Sequence, residues 1–169
     1  MRKNLVLLGM MGVGKSTLGR FIADKYKLNF VDIDTRIEKK NLMSITEIFK
    51  EKGERFFRDE EEKITIDSLN EKDSIIALGG GGFINKKIRE KVLSSAISIW
   101  LEIDLNILNE RLANKQKRPL LKKDLIKKRI SEIYSKRKDI YNLAHHKINC
   151  DKISKEEILK KIISIYENQ

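Results

Sequence analysis

Gly9-Met10-Met11-Gly12-Val13-Gly14-Lys15-Ser16 decides how the rest of the chain is read. It matches G-x-x-x-x-G-K-S/T, a loop whose glycines let successive backbone N–H groups face inward onto phosphate oxygens. A helix opening at the end of the loop adds the positive end of its dipole. Lys15 supplies a charge to the β- and γ-phosphates, the Ser16 hydroxyl is placed to hold Mg²⁺, and Thr17 beside it is within reach of the α-phosphate. A plain glycine-rich turn would need neither the lysine nor the hydroxyl. The motif points to a nucleoside triphosphate without separating kinases from GTPases, transporters or helicases.

The flanks support this reading. Leu5 to Leu8 is an unbroken apolar run ending in glycine, as a parallel strand buried on both faces would be. Lys15 to Tyr26 has helical spacing, with Leu18, Phe21, Ile22 and Tyr26 expected on one side. Further strands are expected at Phe30–Ile33, Ser74–Leu78, Ile97–Leu101 and Lys147–Asn149. Helices are expected between them, with capping boxes at Ser44/Glu47 and Ser154/Glu157 and a break at Gly53. Ala113 to Lys123 is polar, basic and holds the only proline, so a loop is expected there, with a helix from about Asp124 to Lys138. Alternating strands and helices predict an α/β fold on a parallel sheet. No repeat or flexible linker appears, and a single domain over residues 1–169 is the expectation.

Composition excludes little by itself. The 169 residues are 40% hydrophobic and 36% charged, a globular balance, with a formal net charge of +11. That charge would suit nucleic acid, but the lysines are mixed with Glu and Asp, and no aromatic residues are interleaved with them as stacking platforms. One cysteine, Cys150, forbids an internal disulfide, and His145 and His146 read as ordinary surface residues. Arg2 and Lys3 before the first apolar run faintly imitate a signal peptide, but glycines interrupt it and no cleavage site follows. No stretch approaches membrane-spanning length. A cytoplasmic protein is expected, without nucleic-acid or membrane partners.

The class can be narrowed. No N-K-x-D motif for a guanine base stands in a suitable place. The third strand ends in glycines rather than in the acidic residues of motor ATPases. Asp32 and Asp34 flank Ile33 at the end of the second strand, so period two should lean both carboxylates to one side. One would serve Mg²⁺ and one the acceptor hydroxyl; Asp34 could also simply cap the next helix. Arg58 lies in an acidic helical stretch and, taken alone, favours an ion pair with Glu61 or Glu62. Gly79 to Gly82 suggest a backbone that approaches a ligand closely. Arg118, in the basic loop, can close over a nucleotide.

Together these pieces resemble the shikimate kinase family. Its G-x-M-G-x-G-K-S-T is Gly9 to Thr17, its D-x-D is Asp32-Ile33-Asp34, and its F-R-x-x-E is Phe57 to Glu61. Its G-G-G is Gly79-Gly80-Gly81, its R-P-L-L is Arg118 to Leu121, and its late arginine with tyrosine four residues on is Arg137 and Tyr141. The proline the family often has between those two is replaced by Lys138-Asp139-Ile140, and Gly82 extends the glycine run. The resemblance implies transfer of the ATP γ-phosphate to the 3-hydroxyl of shikimate, en route to aromatic amino acids. It implies strand order 2-3-1-4-5, a lid at about 112–124, and Mg²⁺ as cofactor. Lys15, Asp34 and Arg118 would be catalytic, with Gly12, Val13, Gly14, Lys15, Ser16, Thr17, Arg111 and Arg118 on ATP. Asp34, Arg58, Gly80, Gly81 and Arg137 would hold shikimate, and Ser16 and Asp32 the metal. A monomer is expected. Gluconate kinase, a nucleoside monophosphate kinase and an ATP-using nucleic-acid binder are the rival readings.

Overall fold

The computed structural model describes residues 3–116 and 120–168, and side chains outside 113–124. Five strands form the sheet: β1 (Asn4–Leu8), β2 (Asn29–Asp32), β3 (Ser74–Ala77), β4 (Ala96–Glu102) and β5 (His146–Asn149). All neighbours are parallel, in the order β2-β3-β1-β4-β5. The chain crosses from one half of the sheet to the other beside β1, where ligands bind in open α/β sheets. The apolar runs explain the middle of the sheet: Leu5, Val6, Leu7, Ile75, Ile76 and Ile99 are fully out of water.

The helices are α1 (Lys15–Tyr26), α2 (Ile33–Asn41), α3 (Ile45–Glu51), α4 (Gly53–Asn70), α5 (Lys86–Ser95), α6 (Leu105–Gln116), α7 (Leu120–Tyr141) and α8 (Lys155–Glu167). A short 3-10 turn spans Gly82–Ile84. Both expected capping boxes are present, Ser44 with Glu47 and Ser154 with Glu157. None of the helices among the described residues is long and apolar enough to cross a membrane.

Three expectations need correction. The second strand stops at Asp32, because Asp32 caps α2 by accepting from the Thr35 N–H at 3.1 Å. Ile33 and Asp34 therefore belong to a helix, and the period-two argument for the two carboxylates fails. The expected loop at 113–123 is mostly helical backbone, since α6 runs to Gln116 and α7 begins at Leu120. Its lysines, leucines and alanine are good helix formers, which the reading as a basic loop underweighted. Lastly, Phe21 is 48% exposed, while Leu18, Gly19, Ile22 and Ala23 form the buried face of α1.

The last point predicts a contrast between neighbours. Ile22→Ala should lower unfolding free energy by about 2–5 kcal/mol, as truncations of buried aliphatic side chains do. Phe21→Ala should cost about 1 kcal/mol or less. Urea titrations of the two variants check this.

Candidate active site

The phosphate loop leaves the end of β1 and hands the chain to α1 at Gly14, whose φ of 107° lies in the left-handed region. No side chain caps α1, whereas Asp32, Ser44, Asn85 and Ser154 cap α2, α3, α5 and α8. The first N–H groups of α1 are thus left to face an anion. Val13 is buried beneath the loop, and α6 lies against it: a side-chain carbon at Gly12 would come within 2.8 Å of Leu112 and 3.4 Å of Leu108. Arg111, beside Leu112, is exposed on that helix, and its charge is felt by the buried Cys150 thiol.

Lys15 is buried, and its Nζ donates to the carbonyls of Gly9 and Met10, both at 2.9 Å. Burial pulls its ammonium down to about 8, partly offset by Asp34 and Asp32. It therefore still carries its proton at neutral pH. Ser16 donates its hydroxyl hydrogen to Oδ2 of Asp32, while Oδ1 of the same carboxylate caps α2. Thr17 is exposed in the first turn of α1.

Asp34 follows in the first turn of α2. Its Oδ1 is buried without a hydrogen-bond partner. Burial pushes its carboxyl up to about 6, and Asp32 and Glu61 push the same way against Lys15. A buried acceptor left unpaired by protein is an expensive feature, and a ligand hydroxyl would satisfy it.

Opposite stand two arginines and a carboxylate. Arg58 Nη1 donates to Glu61 Oε2 at 2.7 Å, and Arg58 Nη2 reaches Glu54 at 3.4 Å. The ion pair favoured for Arg58 alone is thus present, and it does not remove Arg58 from the site. A side-chain carbon on Gly81 would lie 2.6 Å from Arg58 Nη1; on Gly80, 3.2 Å from Arg137 Nη1; on Gly79, 2.6 Å from Asp34 Oδ1. The glycine run is bare because charged side chains from α2, α4 and α7 press against it. Asp34, Arg58, Gly80, Gly81 and Arg137 are therefore brought together, next to Lys15. Arg118 lies outside the described residues, as do the side chains from 113 to 124 of the expected lid.

Two participants were missed among the site residues, although the motifs contain them. Glu61 has only 2% of its side chain accessible and holds Arg58. It falls on the apolar face of α4, between Phe57 and Ile64, and a carboxylate at such a position signals a paired charge. Tyr141 is buried, donates its hydroxyl hydrogen to the Gly80 carbonyl and lies 5.9 Å from the Trp100 ring. Nothing local in the sequence announces that bond.

The raised carboxyl of Asp34 has a stability consequence. Below about 3.8 it is protonated in folded and unfolded chains alike and has no effect. Between there and about 6 the folded chain keeps a proton that the unfolded chain releases, so this group's contribution falls as pH rises. Asp34→Asn should therefore be more stable than the parent at pH 7, by roughly 2 kcal/mol, with the gain gone near pH 4. Denaturation curves at both pH values check it.

Comparison with known proteins converges on one family. The shikimate kinase family model matches residues 11–167. The shikimate kinase of Sulfurihydrogenibium sp. (strain YO3AOP1) is 39% identical over 162 residues, 96% of each chain. Among solved structures, the shikimate kinase of Acinetobacter baumannii in complex with shikimate superposes with a TM-score of 0.89 at 27% identity, covering 99% of this chain and 94% of that one. The enzyme from Bacteroides thetaiotaomicron gives the same TM-score and identity over 99% of both chains. With a phosphate loop joined to a cleft of paired arginines and carboxylates, the chain belongs to the shikimate kinase family, kinases that use ATP to phosphorylate shikimate.

Proposed function

We propose that this chain transfers the γ-phosphate of ATP to the 3-hydroxyl of shikimate through the residues gathered at the end of β1. The observation that carries the residue assignment is the unpaired, buried Oδ1 of Asp34 beside Gly79, in a glycine turn whose next two residues lie against Arg137 and Arg58. Arg58 and Arg137 grip the shikimate carboxylate, since guanidinium groups fork onto carboxylates. Asp34 accepts from the ring hydroxyl that attacks and is positioned to take its proton. The backbone N–H groups at Gly80 and Gly81 complete the substrate contacts. That A. baumannii relative's complex with shikimate supports an acceptor of this kind.

On the nucleotide side, Gly12, Val13, Gly14, Ser16 and Thr17 present backbone N–H groups to the phosphates, and Lys15 turns from its carbonyls to the γ-phosphate. Arg111 lies along the adenine, and Arg118 from the lid at about 112–124 balances the moving charge. Ser16 and Asp32 are joined oxygen donors, a fit for a hard cation such as Mg²⁺, with Asp32 reaching it through water. Mg²⁺ bound there would neutralise phosphate charge. Catalysis is then positioning and charge stabilisation in a site closed to water. The same reading gives a single kinase domain over 1–169, monomeric and cytoplasmic, with no nucleic-acid or membrane partner.

The test is ATP consumption by the purified protein with Mg²⁺ and shikimate, gluconate or AMP. Only shikimate should raise the rate; response to gluconate or AMP instead would overturn the acceptor. Arg137→Ala should raise the KM for shikimate by about tenfold or more and leave that for ATP within about twofold. Equal losses would refute the role of Arg137. The pH profile carries signs fixed by the site. In the free enzyme, kcat/KM for shikimate should fall below about 6 as Asp34 protonates, and that for ATP should fall above about 8 as Lys15 loses its proton.

A further inference from the structure

Gly79 to Gly82 form a β-turn closed by the Gly82 N–H donating to the Gly79 carbonyl at 3.0 Å. Gly80 and Gly81 are its two central residues, so the peptide between them is the one that reverses when a type I turn becomes type II. Gly81 has φ −97° and ψ −13°, which is the type I arrangement. Type II would need a positive φ at Gly81, a conformation a side chain would resist and glycine does not. The glycines serve a second purpose, because side-chain carbons there would come within 2.6 Å of Arg58 and 3.2 Å of Arg137 and shift their guanidinium groups. Close packing of the arginines thus leaves the turn free to flip.

Tyr141 removes that freedom. Its hydroxyl donates to the Gly80 carbonyl, the oxygen of the reversible peptide. The peptide is planar and trans, so fixing that oxygen toward the buried tyrosine sends the Gly81 N–H to the opposite side. A flip would instead turn the carbonyl oxygen toward the cleft assigned to an anionic substrate. Arg137 stands one helical turn earlier on α7, and its positive charge acts on the same phenol. Burial pushes the phenol up, so it remains a donor at neutral pH. Its ring packs against Trp100, its exposure is 1%, and the thioether of Met10, also in reach at 3.9 Å, is a weak acceptor.

We infer that Tyr141 is a positioning residue: it locks the Gly80–Gly81 peptide with the Gly81 N–H toward shikimate. This rests on the acceptor being shikimate, which the parent protein's turnover tests separately. The variant is Tyr141→Phe, which keeps the ring and removes only the hydroxyl. The KM for shikimate should rise about three- to tenfold, the worth of one hydrogen bond, while the KM for ATP stays within about twofold and the melting temperature within a few degrees. Added to Arg137→Ala, it should still raise the shikimate KM severalfold, because the peptide remains unlocked. An unchanged shikimate KM would overturn the inference. So would parallel rises in both KM values with a lower melting temperature, which describe a merely structural residue. Loss of the effect in the Arg137→Ala background would show that Tyr141 acts on the arginine alone and would overturn the lock.

Discussion

Glu61 is almost wholly out of water, and the arginine three residues before it on α4 is what makes that burial tolerable. Burial pushes the Glu61 carboxyl upward; the hydrogen bond and charge of Arg58, and the charge of Arg137, pull it back down. Deleting Arg58 would strand the buried Glu61 carboxylate without its ion-pair partner. Asp34 stands against the same carboxylate across Gly79. Two carboxylates and three cations, Lys15, Arg58 and Arg137, therefore share a small volume at the end of β1. A substrate bearing both a carboxylate and hydroxyls meets complementary groups already in place.

This crowding shapes the backbone around it. Side chains at Gly79, Gly80 or Gly81 would displace the guanidinium and carboxylate groups packed against the turn after β3. That turn is held instead by Tyr141 on α7. The nucleotide side is arranged the same way. Lys15 is buried against two carbonyls, and the uncapped start of α1 follows directly. Both halves of the site depend on β1 and β3 lying side by side, with Leu5, Val6 and Leu7 opposite Ile75, Ile76 and Ala77.

Much of this was legible in the sequence, for physical reasons. The phosphate loop is local chemistry, the buried strands are unbroken apolar runs, and the capping boxes are short-range bonds. All three are written in contiguous residues. The errors arose where a short-range cap was overlooked or where distant groups decide. Asp32 ends its strand early because its carboxylate caps a helix, which left Asp34 on a helix rather than a pleat. Gly79 to Gly81 suggested a close backbone approach, and the structure adds that the protein's own charged side chains pack against them. Glu61 could have been found from its place between Phe57 and Ile64 on the buried face of α4. Tyr141 stood in a motif, but its bond to Gly80 could not be read, since that partner lies 61 positions away in the chain.

The central claim is that Asp34 is held out of water among other carboxylates, so that it meets the acceptor hydroxyl as a strong proton acceptor. The direct measurement is a ¹³C NMR titration of the Asp34 side-chain carboxyl in the free protein, assigned with Asp34→Asn. The account predicts a midpoint near 6. A midpoint near the ordinary 3.8 would mean a solvated carboxylate and would contradict it.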